Sequence, residues 1–106
     1  MWNNLKKWLS GGNAVNYAEL VSQGAVIVDV RTKAEYASGH VKGSINIPLD
    51  QLGSKIATLP KKPIITCCAS GMRSASARSI LQSKGFEEVY NGGGWSALNQ
   101  KLKSSQ

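Results

Sequence analysis

One stretch constrains this chain more than any other: Ile64-Ile65-Thr66-Cys67-Cys68-Ala69-Ser70-Gly71-Met72-Arg73-Ser74. A short apolar run rich in β-branched residues gives way to small polar residues. Ala75-Ser76-Ala77-Arg78-Ser79-Ile80-Leu81 follows, and the whole predicts a buried strand, a tight turn and a helix. A cysteine at the end of such a strand faces helix-start N–H groups that have no intrahelical partner. That position favours an anion, and a thiolate is an anion. Ala69, Ser70 and Gly71 are small enough for the backbone to curl into an anion-binding nest. With Cys68 as its first residue and Arg73 as its last, the loop would hold a thiolate without a histidine or carboxylate base beside it. The competing reading is that Cys67 and Cys68 are small apolar residues filling a strand end.

The flanking chain alternates strands and helices. Asn16 is placed to cap a helix over Tyr17–Ser22 that Gly24 closes. Residues 25–28 form a continuous apolar run, as in a central strand covered on both faces, and Asp29-Val30-Arg31 lies at its C-terminal edge. Thr32-Lys33-Ala34-Glu35 fits a capping box, and Arg31 and Glu35 stand four apart, close enough to pair. Ile45 and Ile47 alternate in a short strand that Pro48 ends. Asp50 is read as the cap of a helix with Leu52, Ile56 and Leu59 along one face. A helix over about 74–83 ends near Gly85. A last strand is expected over 86–90, a permissive turn over 91–94, and a closing helix over 95–103 with Trp95, Leu98 and Leu102 inward. The class is α/β, with a mainly parallel sheet and helices on both faces. Residues 1–12 read as a short amphipathic helix, with Trp2, Leu5, Trp8 and Leu9 opposite Lys6 and Lys7, followed by a hinge. Residues 13–106 read as one domain.

Composition narrows the function classes. At 106 residues there is room for one core. The net charge of +7 favours small anions or acidic partners. The cations Lys6, Lys7, Lys42, Lys55, Lys61, Lys62, Arg78 and Lys101 are dispersed and not interleaved with aromatic residues, which argues against nucleic acid. Adjacent cysteines staple no loop, and His40 is the only histidine, so neither a disulfide framework nor a metal site is expected. No apolar run reaches the length of a membrane span, so no stable membrane insertion is expected. The expected location is the cytoplasm, or the periplasm if a signal peptide once preceded Met1.

Taken in order, Asp29-Val30-Arg31, Glu35-Tyr36, Gly39-His40-Val41, Gly43-Ser44-Ile45-Asn46-Ile47-Pro48 and Cys68-Ala69-Ser70-Gly71-Met72-Arg73-Ser74 resemble the successive signatures of single-domain rhodanese-like sulfurtransferases. The resemblance runs from about Asn16 to Leu98. It implies the rhodanese-like fold, with a central sheet of about five strands, no cofactor, and a monomer. It also implies sulfur transfer, in which Cys68 takes the sulfane sulfur of a small anionic donor such as thiosulfate. The persulfide then passes the sulfur to cyanide, a thiol or a protein acceptor. By the same resemblance the backbone of Ala69, Ser70, Gly71, Met72 and Arg73 forms the substrate cradle, and Asp29, Arg31 and Glu35 support it. His40 is a structural hydrogen-bonding residue. The chain departs from the family pattern at Ala69, where many members carry a basic residue, at Cys67, and at Gly92-Gly93-Gly94, which runs directly into Trp95. Counted from Cys67 instead, five residues precede Arg73, the spacing of cysteine-dependent phosphatases on related loops. A phosphatase or arsenate reductase is therefore the alternative, and a non-catalytic sulfur-carrying module a third reading. Strand alternation separates the two thiols, because only one of them can face the loop.

Overall fold

The computed structural model describes residues 15–104, so the amphipathic helix and hinge expected over 1–12 lie outside the described residues. The chain order is α1 (Tyr17–Ser22), β1 (Val26–Asp29), α2 (Lys33–Ala37), β2 (Ile45–Asn46), α3 (Leu49–Lys55) with a 3₁₀ turn (Ile56–Thr58), β3 (Ile64–Cys68), α4 (Met72–Ser83), β4 (Val89–Gly94) and α5 (Trp95–Ser104). The strands form one sheet in the order β2-β1-β3-β4, with every neighbouring pair parallel. Among the described residues the sheet has four strands where about five were expected.

Alternation along β3 divides the core in two. Ile64 and Cys68 join Val28, Leu52, Ala77 and Leu81 on the face covered by α3 and α4. Ile65 and Cys67 join Ile27 and Leu98 on the other face, where Tyr17 and Leu20 of α1 and Trp95 and Leu102 of α5 pack. Helices therefore cover both faces. All five residues of β3 are buried, as a strand at the centre of a parallel sheet must be. Its C-terminal end emerges between two covered layers and delivers Cys68 to the sheet edge where the loops meet.

Three local expectations are corrected. The helix after β2 is not capped by Asp50. Extended Pro48 occupies the cap position without a side-chain bond, and Asp50 lies inside the first turn, facing the helix dipole. The helix over 74–83 starts earlier, at Met72, directly after Gly71 in a left-handed conformation (φ 105°). The last strand is shifted towards the C-terminus: β4 begins at Val89 and runs through the glycines read as a turn. Gly93 takes a left-handed conformation (φ 79°), and at Gly92 and Gly94 there is no room for a side chain. A Cβ at Gly92 would sit 2.9 Å from both Ile65 Cγ2 and the Thr66 carbonyl oxygen, and one at Gly94 would sit 2.9 Å from the Ala69 carbonyl oxygen. The run lets β4 pass directly behind the loop.

Candidate active site

The site is built where β3 turns into α4. The Cys68 side chain is almost fully buried, yet polar donors surround its sulfur. The Gly71 N–H donates to Sγ at 2.9 Å and the Ser74 N–H at 3.3 Å, while the Cys68 thiol and the Ser74 hydroxyl stand 3.5 Å apart. Burial alone would push this thiol up. The Ser74 hydroxyl, the Ser74 and Gly71 N–H groups and the Ser70 N–H outweigh burial, and the thiol lies below its ordinary value. The donors are the unpaired N–H groups of a helix start, turned inward by the left-handed Gly71.

Cys67, one residue earlier, has the opposite surroundings. It is fully buried on the other face of the sheet. Desolvation first, and the neighbouring Asp29 charge second, push its thiol up to about 12. It remains a neutral, apolar packing residue at working pH.

Two arginine–carboxylate pairs flank the loop. Arg31 and Asp29 are buried, with side chains 4% and 0% exposed. The Arg31 Nε donates to both Asp29 oxygens at 2.9 and 3.1 Å, and Nη2 donates to Oδ2 at 2.7 Å. Nη1 also donates to the Glu35 carbonyl at 3.2 Å and Nη2 to the Gly39 carbonyl at 2.7 Å, and the guanidinium lies 4.8 Å from the Trp95 ring centroid. The Trp95 ring in turn lies against Gly39, where a Cβ would come within 3.0 Å of it. Arg31 thus ties β1, α2 and α5 together. The sequence placed Arg31 and Glu35 as a pair of side chains; instead Arg31 takes only the Glu35 backbone. The Glu35 carboxylate reaches across to Arg73, with Nη1–Oε1 2.8 Å and Nη2–Oε2 3.0 Å. The capping box on Thr32 forms as expected and fixes the start of α2 from which Glu35 projects.

These loops match a known family along nearly the whole chain: the family model described as rhodanese-like domain covers residues 13–101. The chain belongs to the rhodanese-like domain family. It is 40% identical over 70 residues to the thiosulfate sulfurtransferase PspE of Escherichia coli (strain K12), covering 63% of this chain and 67% of that protein. The thiosulfate sulfurtransferase GlpE of Pseudomonas fluorescens (strain SBW25) is 37% identical over 73 residues, with 68% and 67% covered. Among solved structures, one described as rhodanese with anions from E. coli superposes with a TM-score of 0.65 at 36% identity, covering 69% of this chain and 89% of that one. The fold is the rhodanese-like fold.

Of the cradle expected over Cys68, Ala69, Ser70, Gly71, Met72 and Arg73 of this rhodanese-like domain, the Ser70 and Gly71 N–H groups are turned towards the Cys68 sulfur. Ala69, Ser70 and Met72 lie exposed, while Gly71 and Arg73 are half-buried. Glu35 touches the cradle through Arg73. Asp29 and Arg31 act one layer further back. His40 is not brought to it: the ring stacks on Tyr36 with centroids 3.7 Å apart, and Nδ1 lies 2.7 Å from the Tyr36 carbonyl oxygen. Sequence reasoning missed two members. Ser74 donates its N–H to the Cys68 sulfur, and its hydroxyl oxygen stands 3.5 Å from the same sulfur. Asn91 on β4 accepts from the Ser74 hydroxyl at 2.6 Å and from the Gly93 N–H at 2.9 Å, and donates to the Gly71 carbonyl at 3.2 Å. Ser74 could have been found as the residue closing the nest; Asn91 carried no signal inside a run read as a turn. Among the described residues no group of three or more His, Cys, Asp or Glu side chains could hold a metal ion, and no helix is long and apolar enough to cross a membrane.

Proposed function

We propose that this domain is a sulfurtransferase in which Cys68 carries the sulfur. The Cys68 thiolate attacks the outer sulfur of a sulfane donor such as thiosulfate. The Sγ–S bond forms, the donor's S–S bond breaks, and sulfite leaves with the electron pair. The persulfide then meets a nucleophilic acceptor, either cyanide, a thiol or a protein cysteine, which takes the outer sulfur and returns the thiolate. The observation that carries this reading is the Gly71 and Ser74 N–H groups at 2.9 and 3.3 Å from Sγ, which hold the ionised form without a separate base. A persulfide anion, with its charge on the outer sulfur, suits the same inward-turned N–H groups. The thiosulfate sulfurtransferases among the relatives support the same chemistry.

The phosphatase or arsenate reductase alternative needs a larger loop opened by Cys67. That thiol lies in the opposite half of the core, away from the cradle, and is held protonated. The test is turnover. With thiosulfate and cyanide the protein should release thiocyanate, and p-nitrophenyl phosphate should remain intact. Phosphate release without thiocyanate formation would overturn the proposal.

A further inference from the structure

Both arginines beside the cradle are already committed. Arg31 gives its guanidinium to Asp29 and to two backbone carbonyls. Arg73 gives one N–H from each terminal nitrogen to Glu35, and this pair lies at the surface with both side chains 36% exposed. The first cradle position after the nucleophile is Ala69, which adds no charge, and the next is Ser70. An incoming donor therefore meets backbone N–H groups, an arginine whose charge is cancelled, and the Glu35 carboxylate itself. On the rim stands Met72, 79% exposed and apolar, a side chain that offers contact to an organic group and nothing to an inorganic anion.

We infer that Glu35 is a specificity-determining residue which, by occupying Arg73, turns the cradle away from dianionic donors and towards organic sulfane donors of low charge, such as persulfides and thiosulfonates. The inference rests on the sulfurtransferase reading and names the substrate class within it. The chemistry is unchanged. With an organic hydropersulfide the Cys68 thiolate takes the outer sulfur together with its proton, the S–S bond breaks, and the organic thiolate leaves with the electron pair. The Glu35 carboxylate is charged at any working pH: the Arg73 hydrogen bonds and the Thr32 N–H hold it down at about 2. A dianion must either displace it from Arg73 or bind without a cation.

The experiment compares thiosulfate, a dianion, with methanethiosulfonate, a monoanion carrying a methyl group, at constant ionic strength. Wild type should use methanethiosulfonate with the higher kcat/KM. Glu35→Gln keeps a side chain that suits the capping box but frees Arg73. It should lower the KM for thiosulfate by about three- to tenfold, the range of one partly exposed charge-assisted contact. Its kcat should stay close to that of wild type, and the KM for methanethiosulfonate should stay within about twofold. In the Glu35→Gln background, Arg73→Gln should erase the gain. An unchanged or raised thiosulfate KM in folded Glu35→Gln overturns the inference, as does an equal shift for both donors. If wild type is loaded with sulfur by neither donor, the sulfurtransferase reading fails first and takes this inference with it.

Discussion

Cys67 and Cys68 share a peptide bond and almost nothing else. One points into the layer beneath α1 and α5, where burial and Asp29 keep it protonated. The other points towards the start of α4, where four donor groups more than offset the same burial. The difference shows that burial does not decide thiol chemistry on its own. What decides it is whether the buried sulfur meets N–H groups that lack another partner. The two arginines repeat the lesson. Arg31–Asp29 is buried and structural, whereas Arg73–Glu35 lies at the surface, where pairing adds little stability and can instead govern what binds.

The widest gap should appear in reactivity. With the Cys67 thiol pushed up to about 12 and the Cys68 thiol held below its ordinary value, Cys68 in the native protein should alkylate faster than Cys67 by on the order of a thousandfold at neutral pH. Peptide mapping after brief iodoacetamide treatment measures the ratio, and comparable labelling of both would erase the distinction. Next is the pair of arginines. Arg31→Ala leaves Asp29 buried and uncompensated and should cost about 3–5 kcal/mol, read as a lower denaturation midpoint. Arg73→Ala should leave that midpoint nearly unchanged while weakening sulfur loading. If the two variants melt alike, the division into structural and functional pairs is wrong.

A smaller effect is expected at Ser74. Ser74→Ala removes the hydroxyl but keeps the N–H, and should slow Cys68 alkylation at neutral pH by about three- to tenfold, the contribution of one hydrogen bond to a charged group. The same shift has a sign in stability. The folded state releases the Cys68 proton more readily than the unfolded chain, so its contribution is present above the unfolded value. It is lost as pH falls through the folded one. Wild type should gain stability as pH rises across that window. Cys68→Ser should lose that slope, and an unaltered slope in this variant would assign it to another group.

Much of this arrangement was legible in the sequence because it is local. The strand–turn–helix stretch, the Thr32 capping box and the opposite facing of the two cysteines follow from spacing over a few residues, and the structure has all three. What escaped depends on contacts across the chain. Glu35 looked like a partner for Arg31, four residues away, because nothing local indicates that Arg73 arrives 38 residues later with better geometry. The glycines at 92–94 looked like a turn because glycine usually marks one. Here they are strand residues, Gly92 pressed against Ile65 and Thr66 and Gly94 against Ala69, and the space is set by the loop they pass behind. Asn91 was hidden for the same reason: its role exists only once β4 lies beside β3. Asp50 was mistaken for a cap because acidic residues are favoured both at the cap and in the first turn, and Pro48 took the earlier position.

The central claim is that Cys68, and not Cys67, carries the transferred sulfur. Intact mass after incubation with a sulfane donor and removal of the excess tests it directly. Wild type and Cys67→Ser should each gain the mass of one sulfur atom, lost again on adding cyanide, while Cys68→Ser should gain none. Sulfur retained by Cys68→Ser and absent from Cys67→Ser would contradict the account.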